Sequence, residues 1–289
     1  MSETTTSRTN QSATTATLAG YEIPRLGMGT MALAIEGRPS NRNQAIETIH
    51  AALDAGVRYL DTAWSYYLPS APGTGEPEDM GYGEYLVRDA LHSWHGPKDQ
   101  VLVATKTGWL RTLDGNGNYG WQADARPETM IANAKESARR LGVDTLDLLY
   151  SHCNDPQVPY EDQMGALKQL VDEGVAKAVG ISRIDNADIE TAHNILGDRL
   201  VAVQNQFSPV HRDPAKSSVW LLSAGRRSVD SLTRSTSICS TGSAKSPRFT
   251  TAPTSASRSR GNLRNTNICS RFPRPETRRR FRTRSKPAN

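Results

Sequence analysis

LDLLYSHCNDPQVPYEDQMGALKQLVDEGVAKAVGIS, residues 146–182, decides the fold. It opens on an apolar run ending in His152, continues through helical spacing over 161–173, and closes on VAKAVGIS at 175–182, which ends in Ser182. Strands buried on both faces of a parallel sheet read as unbroken apolar runs of this kind, and a helix between two of them makes a βαβ unit. Working outward, the same alternation repeats in both directions. Strands are expected near 26–31, 57–61, 101–106, 146–152, 176–182 and 200–206. Helices fall at 44–54, stopped by Gly56, at 84–94, from Pro127 to Arg140, at 161–173, and from a cap at Asp185 or Asn186 to Ile195.

Polar or reactive residues sit at the C-terminal ends of these strands: Asp61, Lys106, His152, Ser182 and Gln204. That edge carries the active-site loops in a barrel and the ligand crevice in a doubly wound sheet. No GxGxxG follows the first strand, so the pattern leans toward a barrel. The expected class is α/β with about six βα units and disordered N- and C-terminal segments.

Charge divides the chain unevenly. Of 289 residues with net charge +5, residues 215–289 hold 17 Lys+Arg against only Asp230 and Glu276, formally +15, which leaves residues 1–214 at −10. The same 75 residues carry 24 Ser+Thr and little apolar periodicity. The expected organisation is a disordered polar, Thr-rich tail at 1–17, a partial barrel at 18–214 and a basic Ser/Arg-rich unpatterned tail at 215–289. No apolar run reaches membrane-spanning length and no leader pattern opens the chain, so a soluble cytoplasmic protein with no membrane partner is expected. Cys153, Cys239 and Cys269 lie too far apart to suggest a disulfide framework or a metal site.

Asp61, Tyr66, Lys106 and His152 form the constellation with chemistry in it. Reducing a carbonyl by hydride leaves an oxygen that needs a proton. A tyrosine, ordinarily near pKa 10, serves at neutral pH when a cation stabilises its phenolate. A buried lysine supplies that charge, a carboxylate fixes the lysine, and a histidine orients or polarises the carbonyl. Each residue alone has a structural reading as turn, surface or core residue. Together, three at successive strand ends and Tyr66 in the loop just after the first, they point to a site. Cys153 beside His152 points to the opposite strand face, which argues against a Cys/His nucleophile.

VRYLDTAWSY at 57–66, VLVATKTG at 101–108, LGVDTLDLLYSHCNDPQVPYEDQMGAL at 141–167 and LVDEGVAKAVGIS at 170–182 together resemble the aldo-keto reductases, bacterial members in particular, over about residues 18–212. The resemblance implies a (β/α)8 TIM-barrel type of fold, incomplete here at about six βα units, and NAD(P)H-dependent reduction of an aldehyde or ketone. It places the catalytic tetrad on Asp61, Tyr66, Lys106 and His152. It places cofactor contacts on Gly29, Thr30, Met31, Asp61, Ser182 and Gln204, with NADPH expected and NADH possible. The partner is then a small-molecule carbonyl substrate; no metal is implied, and oligomeric state stays open.

The sequence departs from the family at three places. Tyr66 is followed by Tyr67 and a long Gly/Pro-rich insertion, while Tyr82-Gly83-Glu84 repeats the expected motif later, making Tyr82 a rival proton donor. Arg183 stands where the family commonly has Asn. After Val210 the pattern stops, so strands seven and eight and the basic residues for an adenosine 2′-phosphate are not found. The tail reads as an out-of-frame segment, as a native disordered tail, or as an arm for nucleic acid or an anionic surface; too few aromatics interrupt its arginines to favour nucleic acid. The alternatives to a working reductase are therefore a catalytically impaired, truncated or frameshifted member with a binding or regulatory role, or binding through the Arg-rich tail.

Overall fold

The computed structural model describes residues 15–35, 38–68, 80–206 and 220–221. A hairpin of β1 (Thr15–Leu18) and β2 (Tyr21–Pro24) precedes β3 (Met28–Gly29), α1 (Met31–Ala34) and α2 (Arg42–Asp54). Next come β4 (Tyr59–Asp61), α3 (Tyr82–Ser93), β5 (Leu102–Thr107), a second hairpin of β6 (Trp109–Leu113) and β7 (Tyr119–Ala123), and α4 (Pro127–Leu141). The described chain ends with β8 (Leu146–Ser151), α5 (Tyr160–Asp172), β9 (Ala176–Ser182), α6 (Asn186–Leu196), β10 (Leu200–Gln204) and β11 (Trp220–Leu221).

Helix boundaries follow local chemistry. Asn41 caps α2 by accepting from the Asn43 amide at 2.9 Å. Pro127 opens α4, and Gly142, at φ +71°, closes it in the left-handed region. Asp185 and Asp188 form a reciprocal capping box at the start of α6.

The order of the parallel strands settles barrel against doubly wound sheet. β3, β4, β5, β8, β9 and β10 lie side by side in the order in which they occur along the chain. A doubly wound sheet reverses direction at a switch point. Here every crossover advances the same way, so right-handed connections put all the helices on one face and leave the other to curl inward. The result is a six-strand parallel half-barrel.

Two apolar clusters occupy the two faces. The outer one joins strand residues Leu60, Leu149, Val179 and Val203 to the helices through Ile49, Leu86, Met130 and Leu167. The inner one holds Tyr59, Leu102, Ala104, Leu148, Tyr150, Ala178, Val201 and Ala202, together with Leu18 and Ile23 from the first hairpin, which therefore packs against the inner face. Successive strand residues alternate between the faces. In β5, Leu102 and Ala104 point inward, Thr105 outward and Lys106 inward again. The inner layer also explains two glycines: a Cβ at Gly27 or Gly180 would fall 2.3 Å from the Tyr59 or Tyr150 ring, so each glycine makes room for an aromatic ring.

Several sequence expectations need correction. β1 takes in Thr15–Thr17, residues assigned to the disordered N-terminus, because pairing with Tyr21–Pro24 and burial of Leu18 give them a partner. The Gly/Asn-rich stretch after Lys106 is a hairpin rather than a loop. Its turn is held by Asp114, whose carboxylate accepts from the amides of Asn116 and Asn118 at 2.8 Å each. α3 starts at Tyr82, two residues before the expected Glu84. β11 lies inside the segment read as an unpatterned tail and pairs antiparallel with the outer edge of β10, Leu221 opposite Ala202. The rest of that tail, the polar residues 1–14, and Phe207 to Val210 lie outside the described residues.

Candidate active site

The inward-facing residues one step above the apolar inner layer are polar. Lys106, at the end of β5, is 2% exposed and donates to Asp61 Oδ1 at 2.5 Å and to the Thr62 carbonyl at 2.7 Å. The other Asp61 oxygen, Oδ2, accepts from Gln204 Nε2 at 2.9 Å and from the Tyr59 hydroxyl at 3.3 Å. β4, β5 and β10 thus meet at one carboxylate. Its position is fixed from behind as well, since Thr30 donates through both its amide (2.9 Å) and its hydroxyl (3.0 Å) to the Asp61 carbonyl.

Tyr66 lies in the loop after β4, buried, with the Lys106 ammonium 5.1 Å from its ring centre and the His152 ring 5.8 Å away edge-on. Burial pushes its hydroxyl above the ordinary tyrosine range, and the Lys106 charge works against that shift without cancelling it. Lys106 moves up overall, because Asp61 and Tyr66 together outweigh burial. Burial, reinforced by Lys106 and Arg183, holds His152 well below its ordinary value, so its imidazole is neutral at physiological pH. His152 Nδ1 is buried without a hydrogen-bond partner among the described residues.

The structure separates the two rival tyrosines. Tyr82, first residue of α3, packs under Arg38, whose guanidinium lies 4.2 Å from its ring centre, while Tyr66 packs beside Lys106 and His152. Gly83 draws the two segments together: its amide donates to the Tyr66 carbonyl at 2.9 Å, and a Cβ there would sit 2.8 Å from that oxygen. Of the expected cofactor contacts, Ser182 ends β9 buried on the same edge and Gln204 is engaged by Asp61. Thr30 is fully buried, while Met31 is 45% exposed. The Cys153 thiol is pushed up to about 11 by burial, which leaves it an unreactive thiol.

Two features escaped the sequence reading. The β6–β7 hairpin brings Trp109 to 4.8 Å from the His152 ring, with Trp121 5.0 Å from Trp109, forming an aromatic wall beside the site. The alternating pattern of this short hairpin was hidden by its Gly and Asn content. A second buried ion pair, Glu84–Arg140 at 3.3 Å, lies on the outer face of β5. Arg140 also donates to the Trp64 carbonyl at 3.3 Å, tying down the loop that carries Tyr66. A Glu and an Arg on helices look like solvated residues in sequence, so nothing marked them.

A family model described as the aldo/keto reductase family matches residues 25–221. An uncharacterised oxidoreductase of Schizosaccharomyces pombe is 31% identical over 67% of this chain and 57% of its own length. Among solved structures, a glycerol dehydrogenase from Gluconobacter oxydans superposes with a TM-score of 0.53 at 26% identity, covering 63% of this chain and 52% of that one. An aldo-keto reductase from Bacillus halodurans, solved in its holo form, gives 0.51 at 26% identity, covering 66% and 57%. The chain spans about half the length of the curated relatives it matches, 47–57% of each.

Proposed function

The chain belongs to the aldo/keto reductase family of oxidoreductases, and from that premise we propose that it reduces an aldehyde or ketone to an alcohol with Tyr66 as proton donor. The observation that carries this reading is the convergence of Asp61, Lys106, Tyr66 and His152 from β4, β5, the loop after β4 and the end of β8. The inner edge fits the nicotinamide end of a cofactor: Ser182, Gln204 and the buried His152 Nδ1, without a partner among the described residues, gather there. A bound NADPH, or less favourably NADH, would supply the hydride, in keeping with the holo form in which the Bacillus halodurans relative was solved. Residues for the cofactor's phosphate end are assigned to none of the described strands.

Tyr66, like any tyrosine, is protonated at neutral pH, and burial raises it further, so it holds the proton that a forming alkoxide needs. As the O–H bond breaks, the nearby Lys106 ammonium stabilises the phenolate left behind. Asp61 holds Lys106 in place and compensates its burial. His152, neutral, orients the carbonyl oxygen toward Tyr66 by hydrogen bonding rather than by charge. The reductase body in this reading is residues 18–214.

The test uses the full chain, NADPH and an aromatic aldehyde, followed by loss of NADPH absorbance. Tyr66→Phe is expected to lower the rate by about 10²–10⁴ with cofactor binding retained, whereas Tyr82→Phe leaves the rate unchanged. Equal activity in Tyr66→Phe and loss in Tyr82→Phe would reverse the assignment. A second reading, a member that binds cofactor without turnover, is favoured by the six-strand half-barrel; NADPH fluorescence enhancement with no aldehyde consumed in the unmodified chain supports it.

A further inference from the structure

Arg183 follows Ser182 directly, on the turn leaving β9. It is exposed and has φ +58°, one of two non-glycine residues with positive φ among those described. Strain of this kind persists only where the surroundings impose it. They do so here: the Arg183 amide donates to the Gln204 carbonyl at 3.1 Å, and Asn205 grips the next residue twice, accepting from the Ile184 amide at 3.1 Å and donating to its carbonyl at 3.0 Å. The turn is thus locked to the end of β10, and the side chain is aimed back over the site. Its guanidinium carbon lies 4.1 Å from the Trp109 ring centre.

Trp109 is the ring that meets His152 edge-on at 4.8 Å. Arg183 and His152 therefore flank a single indole. The other cations nearby are Lys106, already neutralised by Asp61 at 2.5 Å, and Arg111, whose guanidinium packs 4.5 Å from the Trp121 ring centre; the buried Asp155 near Cys153 accepts from the Ala125 and Gln157 amides. Among the described residues Arg183 has no carboxylate partner, although exposed arginines elsewhere in the fold, such as Arg126 and Arg139, are paired with acids at 2.8 and 2.6 Å. A guanidinium stacked on an aromatic ring keeps its N–H edge open, and that edge matches a carboxylate bidentately.

We propose that Arg183, held on Trp109, is an anion subsite that selects carbonyl substrates bearing a carboxylate across a planar apolar body from the reacting carbonyl. The proposal rests on the reductase reading for the position of that carbonyl, at His152 and Tyr66. The Trp109–Trp121 pair covers the planar body, and Arg183 takes the carboxylate one ring away.

Isothermal titration of the full chain, with and without NADPH, compares 4-carboxybenzaldehyde with methyl 4-formylbenzoate, which differ in charge and little in shape. The acid is expected to bind about tenfold tighter or more, as a charge-assisted hydrogen-bonded pair allows, with the preference shrinking as salt rises. Arg183→Met should erase the preference while leaving ester affinity unchanged, and Arg183→Lys should keep only part of it. Equal affinities in the unmodified chain, no binding of either compound, or a preference that survives Arg183→Met would each overturn the subsite. NADPH consumption is measured separately. Reduction of both compounds without an Arg183-dependent preference sinks the subsite and leaves the reductase reading standing; Arg183-dependent binding of the acid without turnover does the reverse.

Discussion

Thr105 and Lys106 are neighbours on β5, and each serves a different buried ion pair. Thr105 points outward and donates to Glu84 at 2.6 Å, where Glu84 also meets Arg140. Lys106 points inward to Asp61. Both pairs set a carboxylate against a cation that is less than 5% exposed, yet they are built to different ends. The outer pair is engaged on both carboxylate oxygens: Glu84 is fully buried and accepts from Thr105 through one and from Arg140 through the other, and burial raises its carboxyl against them. The inner pair stops one layer short of closure, with Tyr66 and His152 beside it and one histidine nitrogen without a partner among the described residues. A pair that carries structure turns both carboxylate oxygens and the cation onto protein, whereas a pair placed for chemistry leaves neighbouring groups for a ligand.

Breaking the outer pair should cost most. Arg140→Met strands a fully buried carboxylate and also releases the Trp64 carbonyl, for an expected loss of about 3–5 kcal/mol in denaturant unfolding. Glu84→Gln added to Arg140→Met should restore much of that loss, because an uncharged amide no longer needs the cation. If the single variant costs nothing, the outer pair is not structural. Lys106→Met should cost less, about 1–3 kcal/mol, because Asp61 keeps the Gln204 amide and Tyr59 hydroxyl. A larger cost than Arg140→Met would erase the distinction between the two pairs.

The strands and their polar ends were legible in the sequence because fully buried parallel strands leave continuous apolar runs, with the chemistry at the exit. Strand order was not legible. Nothing in 146–182 states which neighbour each strand takes, and the choice between barrel and doubly wound sheet came from pairing. Within the site, Asp61, Lys106, Tyr66 and His152 were found because their residue types imply one another. Trp109, Trp121, Glu84 and Arg140 were missed because their roles depend on contacts between residues far apart in the chain, from 109 to 121 up to 64 to 140. Tyr66 and Tyr82 could not be separated by spacing alone; the Arg38 guanidinium over the Tyr82 ring separates them physically.

The smallest expected effect tests whether the inner layer, unlike the outer one, keeps an imidazole neutral through the pH range in which a free one takes up a proton. His152 is held neutral first by burial and then by Lys106 and Arg183, the cations that face it, while Tyr66, Trp109 and Trp121 supply rings and no compensating carboxylate. Its folded pKa is thus depressed below an unfolded value near 6.5, so below that pH the unfolded chain binds the extra proton. The contribution to stability is complete above about pH 6.5 and falls away as the pH drops, at no more than about 1.4 kcal/mol per pH unit. Between pH 6.5 and 5.5 the unmodified chain should therefore lose up to about 1 kcal/mol relative to His152→Gln, measured by denaturant unfolding at each pH. Carboxylates titrate mostly below this window, and the remaining histidines are common to both proteins, so the difference belongs to His152. Parallel pH profiles would mean that the imidazole is already solvated or paired, and the contrast between an open inner pair and a closed outer one would have to be redrawn.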